Sequence, residues 1–229
     1  MKNKKEEIVL KIVKSNYEII TKINREEILK TIEIVGRTCY KSEDKITEDS
    51  AIKFIKMLIK NGHEAMIEHF SISIRFTNDR GVSHEEVRHR IASFGQESTR
   101  YCNYSKDKFG NEITYIDIND GIKLDQKMRN MPVEQINLII NEWLSACKDA
   151  ENHYFKMLEL GATPQIARSV LNNSTKTEIV ITMNLREWRH FFKLRCSSPA
   201  HPQMREVTLP LFEEMKELLP EVFEDIVLK

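Results

Sequence analysis

Neither sign of charge prevails in this chain. Lysine plus arginine and aspartate plus glutamate each total 35, so the formal net charge is zero. There is then no global attraction toward nucleic acid or an acidic membrane, and any anion site must be built locally. Cysteine is sparse: Cys39, Cys102, Cys147 and Cys196 are scattered without a Cys-x-x-Cys pair, which speaks against a zinc ribbon or a disulfide framework and for reduced thiols. Long apolar runs are missing too. The basic residues 1–5 are interrupted by Glu6 and Glu7, and no stretch long enough for a signal peptide or a membrane span follows. The expectation is a soluble, cytoplasmic protein. No internal repeat and no low-complexity linker divides the chain. Its 229 residues suit one large domain, residues 1–229, with a sizeable core. The most polar and least periodic stretch, residues 103–130, reads as a surface excursion.

The apolar pattern that is present alternates between helical and strand spacing. Residues 44–62 read as a helix: Thr47 is a candidate cap, Ile52, Ile55, Leu58 and Ile59 recur at helical spacing, and Gly62 can end it in a left-handed turn. Ile72, Ile74 and Phe76 alternate with Ser71, Ser73 and Arg75, as in a half-buried strand that ends in the turn Asn78-Asp79-Arg80-Gly81. A second helix is expected from Ser83 as cap, with Glu85 and Glu86 near its positive end, carrying Arg88, His89 and Arg90 outward until Gly95 breaks it. Pro132 opens a long helix whose stripe, including Ile136, Ile139, Trp143, Cys147 and Tyr154, runs toward Gly161. Pro164 starts a short helix bearing Arg168. Residues 177–183 are rich in β-branched side chains, and Asn184 can cap a helix with Leu185, Trp188 and Phe192 facing inward, leaving Arg186, Arg189 and His190 on other faces. Residues 203–219 form a further helical stretch, bent or interrupted by Pro210. Long helices packed around a small, mostly antiparallel sheet make an α+β fold, not a doubly wound one.

The chemistry concentrates in residues 88–101, where Arg88, His89, Arg90, Gln96, Glu97, Ser98, Thr99, Arg100 and Tyr101 lie within fourteen positions. Guanidinium forks match phosphate or carboxylate oxygens, and the hydroxyl and amide groups add short neutral hydrogen-bonding partners. A solvated charged face is the plain alternative. It is disfavoured because Glu85 and Glu86 precede the cluster and, Glu97 apart, uncharged residues fill the space between the arginines. Ser98 lacks the nucleophile elbow and neighbouring base that a nucleophile needs, so it reads as a ligand-binding serine. His84 and His89 nearly copy the zinc-protease pattern, but positions five apart on a helix differ by about 140° and do not grip one metal; no metal site is expected. Cys196 reads as a small buried or half-buried thiol, and His69 as structural.

The order of these residues resembles the signature of the flavin-dependent thymidylate synthases: Arg88-His89-Arg90, seven residues, Ser98, then Arg100-Tyr101. Gly62-His63-Glu64 and Glu68-His69 upstream, and Asn184-Leu185-Arg186, His190 and Leu194-Arg195 downstream, extend the resemblance over residues 35–210. It implies conversion of dUMP to dTMP, with FAD bound, and NADPH and methylenetetrahydrofolate as co-substrates, in a homotetramer whose sites are shared between subunits. By the same resemblance His63, Ala65, Arg88, His89, Arg90, Gln96, Asn184, Arg186 and His190 contact the flavin. Glu85, Arg88, Gln96, Glu97, Ser98, Arg100, Arg168 and Arg195 contact the nucleotide. Arg195 falls where the family has the arginine on the pyrimidine ring, and a fixed guanidinium there stabilises charge as the ring becomes electron rich. The chain departs from the pattern at three places: Gly95-Gln96 replaces asparagine and glutamate, Glu85 replaces a common glutamine, and Ala65 replaces a hydroxyl residue. Two other classes remain to be discriminated. A binding module holding RNA or single-stranded DNA through the arginines and Tyr101 would show steep salt dependence and no flavin colour, and a metal hydrolase would lose activity to chelators.

Overall fold

The structure is a computed structural model that describes residues 10–106 and 110–228; the basic opening and its interrupting glutamates lie outside the described residues. In chain order come β1 (Lys11–Val13), β2 (Asn16–Ile19), α1 (Arg25–Tyr40), α2 (Ser50–Lys60), β3 (Ser71–Asp79), α3 (Arg80–Glu86), β4 (Ser93–Gln96) and β5 (Thr114–Ile116). Then follow α4 (Asn119–Leu124), α5 (Val133–Glu159), α6 (Pro164–Ala167), β6 (Lys176–Asn184), α7 (Leu185–Arg195), α8 (Pro202–Leu218) and α9 (Pro220–Phe223). The fold is α+β: a four-stranded antiparallel sheet in the order β2-β3-β6-β4, a small parallel pair β1-β5, and helices around them.

Period-two alternation decides which way the central strands face. Ile72, Ile74 and Phe76 of β3 are fully buried, and in register with them stand Met183, Ile181 and Ile179 of β6. Against this apolar face α7 lays Trp188, Phe191 and Phe192, all fully buried, and the Trp188 indole N–H donates to the Ile72 carbonyl at 3.1 Å. Asn184 ends β6 and caps α7, its side-chain oxygen accepting from the Glu187 amide at 2.9 Å, so the strand hands over to the helix with no loop between. Helix α8 runs through Pro210 without interruption. A second apolar cluster gathers Tyr104, Ile113, Tyr115, Cys147, Tyr154 and Ala167 around the C-terminal half of α5. Residues 103–130, read from sequence as a surface excursion, thus place Tyr104, Ile113, Tyr115, Ile116 and Ile122 in buried positions.

Four local expectations are corrected. Helix α2 starts at Ser50, because the Ser50 hydroxyl, not Thr47, closes the preceding turn through the Thr47 amide and carbonyl. Helix α3 starts at Arg80, because Asp79 reaches the Val82 amide at 2.7 Å and caps the helix before Ser83 can. Glu85 and Glu86 therefore fall in its last turn; the helix ends before Arg88, and His89 is buried instead of carried outward. Gly95 breaks no helix, since it sits in β4 opposite Val180. Arg189 is buried, and its guanidinium is taken up by Asp225 at 2.6 and 2.8 Å, by Glu64 at 3.2 Å and by the Val222 carbonyl, which leaves it unavailable to a ligand.

Candidate active site

The sheet and α7 bring a chain of polar side chains together. Glu187, in the first turn of α7, accepts from His89 Nδ1 at 2.8 Å. His89 Nε2 accepts from Arg195 Nε at 3.1 Å. Arg195 then reaches Glu85 twice, through Nη1 to the carboxylate and Nη2 to the backbone carbonyl, each at 2.7 Å. Because the Nε2 atom accepts, the neutral ring carries its proton on Nδ1, where Glu187 takes the bond. Burial pushes the His89 imidazole below its ordinary value, Arg195 pushes the same way, and the bond to Glu187 opposes them. Three of the five guanidinium N–H groups of Arg195 are engaged, which leaves two for a ligand.

A cleft of about 460 Å³ opens beside this chain, lined by Glu64, Glu68, Ile91, Asn184, Arg186, Glu187, His190 and Lys193. It unites Asn184, Arg186 and His190, and the His190 ring stands edge-on to His89 with centroids 5.5 Å apart. Arg186 is held by Glu68 at 2.6 Å. The ligand atoms of His89, Glu187 and His190 lie within 4.8 Å of one another, but the donation from Arg195 to the same imidazole places a guanidinium where a bound cation would be repelled.

A second cleft, about 400 Å³, is lined by Arg80, His84, Thr99, Gln165, Arg168, Ser169, Leu171, Asn172 and Asn173, with no carboxylate in its wall among the described residues. Arg168 donates to the Thr99 hydroxyl at 3.1 Å and Arg80 to the Thr177 hydroxyl at 3.3 Å. Arg100 donates to Gln165 at 3.2 Å. Among the described residues none of these three guanidiniums has a carboxylate partner, so a cleft lined by two arginines and flanked by a third keeps its positive charge for a ligand. Ser98 closes the adjoining turn by accepting from the Arg100 amide at 3.3 Å.

The remaining predicted residues are placed differently. Gln96 turns back to the Ser83 and Thr177 hydroxyls, at 2.9 and 3.2 Å. Glu97 pairs with Lys176 at 3.1 Å and accepts from the Tyr104 hydroxyl. His63 is exposed and shares a 2.8 Å hydrogen bond with the Tyr40 hydroxyl, and Ala65 is exposed beside it. Arg88 and Arg90 are exposed, and their side chains have no hydrogen bond or ion pair among the described residues. Sequence reasoning missed Arg80, hidden inside what reads as a turn, and Glu187, although Asn184-x-x-Glu187 has the form of a capping signature.

An α+β fold that sets a hydrogen-bonded histidine and arginine near a cleft whose arginines have no carboxylate partner among the described residues suits an enzyme acting on an anionic ligand. The chain belongs to the thymidylate synthase complementing protein family, whose model matches residues 19–221. Among similar curated proteins, the flavin-dependent thymidylate synthase of Geobacter sulfurreducens is 29% identical over 201 residues, covering 85% of this chain and 80% of that one. The flavin-dependent thymidylate synthase of Pyrococcus horikoshii is 36% identical over 182 residues, covering 77% and 69%. In fold, the chain is similar to the crystal structure of the UMP/dUMP methylase PolB from Streptomyces cacaoi bound with 5-Br dUMP, with a TM-score of 0.75, 22% identity, and coverage of 94% and 96%. No helix among the described residues is long and apolar enough to cross a membrane.

Proposed function

We propose that this chain methylates dUMP to dTMP as a flavin-dependent thymidylate synthase, with methylenetetrahydrofolate as carbon donor and NADPH as reductant. The observation that carries the reading is the hydrogen-bonded series Glu187–His89–Arg195–Glu85 set near a cleft whose arginines have no acidic partner among the described residues. Arg80 and Arg168, with Arg100 at the edge, anchor the nucleotide phosphate by charge-assisted hydrogen bonds. Arg195, held by His89 and Glu85, presents its two remaining N–H groups to the uracil oxygens and stabilises the charge that builds there. Its orientation is set before substrate arrives, so little reorganisation is needed during reaction.

FAD fits the residues present. Arg88 and Arg90 are exposed and unpaired among the described residues, Ile91 is 67% exposed, and Phe94 is 37% exposed, a set suited to a pyrophosphate and an aromatic ring system. Asn184, Arg186 and His190 would hold it from the cleft wall. When bound, it supplies the hydride drawn from NADPH that completes the methyl group. His63 and Ala65, with Arg88 and Arg90, face outward, as residues of a site completed by another copy do, and this supports shared sites between copies; the homotetramer and the cytoplasmic location are proposed from the family resemblance. The proposed reaction needs no protein nucleophile, and the two buried thiols are poorly suited to be one. Burial pushes the Cys147 thiol up, and Cys196 up to about 11, so neither supplies a thiolate at neutral pH.

Purified protein supplied with FAD, NADPH, methylenetetrahydrofolate and dUMP should form dTMP and show bound-flavin absorbance. Absence of both with added FAD would overturn the reading. Steep loss of RNA affinity with salt in a colourless protein would favour a nucleic-acid module, and activity lost to chelators a metal hydrolase.

A further inference from the structure

The last turn of α3 does more than end a short helix. Asn78 and Asp79, consecutive residues at the end of β3, pin both its ends: Asp79 caps its first turn, and the Asn78 side chain reaches across to donate to Glu86 Oε1 at 2.7 Å. Asn78 and Glu86 are both fully buried. The residue beside Glu86 is Glu85, whose carboxylate and carbonyl are two of the three acceptors for Arg195, His89 Nε2 being the third. We propose that the buried Asn78–Glu86 pair is a positioning device for Arg195, fixing the turn from which Glu85 holds the guanidinium. The inference rests on the role given above to Arg195.

The chemistry of the pair supports this. Glu86 Oε2 and Asn78 Oδ1 have no hydrogen-bond partner among the described residues, and both are acceptors if the carboxyl is ionised. A proton on Oε2 makes it a donor, the group that the Asn78 oxygen lacks. Three charged groups act on Glu86: Asp79 from the end of β3 and Glu85 from its own helix favour the neutral acid, and Arg195 from α7 favours the carboxylate. Burial dominates and pushes Glu86 up to about 8. Ionisation above that pH places a buried carboxylate between Asp79 and Glu85 and loosens the turn that carries the Arg195 acceptors.

Glu86→Gln keeps one donor and one acceptor at every pH, and Glu86→Leu removes both. Two readouts test the inference: kcat for dTMP formation from pH 6 to 10, and the ¹⁵N NMR resonance of the Arg195 Nε–H group, assigned by its loss in Arg195→Lys. In the wild type, kcat should fall and the Nε–H signal should broaden by exchange as pH passes about 8. In Glu86→Gln both should persist beyond that point. At neutral pH, Glu86→Leu with bound flavin should lose about tenfold or more in kcat/KM, the scale of a misplaced catalytic group. An alkaline loss of the Nε–H signal in Glu86→Gln identical to the wild type would overturn the inference even if Glu86→Leu fails to fold. So would wild-type kcat/KM in a folded Glu86→Leu. Absence of dTMP from the wild type would instead defeat the functional reading, with the NMR signal still deciding the positioning.

Discussion

Arg195 Nη1 lies 2.7 Å from Glu85 Oε2 while Nη2 donates to the backbone carbonyl of the same residue. Glu85 therefore serves Arg195 through both side chain and main chain, which gives the carboxylate at a position where the family commonly has glutamine a role other than meeting a phosphate. Removing the guanidinium leaves Glu85 and His89 without their partner and, on the proposed function, the uracil without its charge stabiliser. Arg195→Ala should lower kcat for dTMP formation by about a hundredfold or more while flavin absorbance stays unchanged. Full turnover by that variant would refute the assignment.

Glu86 also couples stability to pH. Its carboxyl moves from an ordinary 4.5 to about 8 on folding, chiefly through burial. Between those values the folded chain holds a proton that the unfolded chain has released, so raising the pH favours unfolding by about 1.4 kcal/mol per pH unit from this group alone. The contribution is fully present below about pH 4.5 and lost as pH rises through about 8. Melting temperature should decline across that window in the wild type more steeply than in Glu86→Gln. Parallel curves for the two proteins would show that Glu86 titrates normally.

Arg189 presents a buried charge whose partners come from distant parts of the chain, Glu64 after α2 and Asp225 after α9. Only 2% of its side chain is exposed, whereas that of Asp225 is 46% exposed. Arg189→Ala removes the packed stem and the guanidinium together and should cost about 3 kcal/mol or more in urea unfolding. Asp225→Asn should cost less, because Glu64 and the Val222 carbonyl still satisfy the charge. Equal losses in the two variants would contradict this division.

Much of the fold is legible in the amino-acid sequence. Alternation in Ile72, Ile74 and Phe76 marks one buried face, and Asn184 followed by Leu185, Trp188 and Phe192 marks a capped amphipathic helix; both are local patterns of side-chain period. Where the reading failed, a nonlocal or competing contact decided. Asp79 captured the helix start that Ser83 also offered, and Arg189 looked free because Asp225, its partner, lies 36 residues further on. The site was legible as residue types. The Arg195–His89–Glu187 connection joins residues about a hundred positions apart, and only the antiparallel registry of β3, β6 and β4 brings them together.

That registry also assembles the acid-free cleft, where Arg80 from the start of α3 faces Arg168 just after α6. A hydrogen bond to a charged group contributes about 1.5–3 kcal/mol, so each guanidinium should matter to phosphate binding and little to the chemical step. Arg80→Gln and Arg168→Gln should each raise KM for dUMP by about tenfold or more, with kcat and flavin absorbance near wild type. Ser98→Ala should have a smaller effect, because its hydroxyl accepts a 3.3 Å bond from the Arg100 amide and shapes the turn. Deoxyuridine, which has no phosphate, separates the two roles: its weak turnover should be insensitive to Arg80→Gln and Arg168→Gln. A tenfold loss with deoxyuridine as well would mean that these arginines support the fold of the cleft instead of gripping an anion.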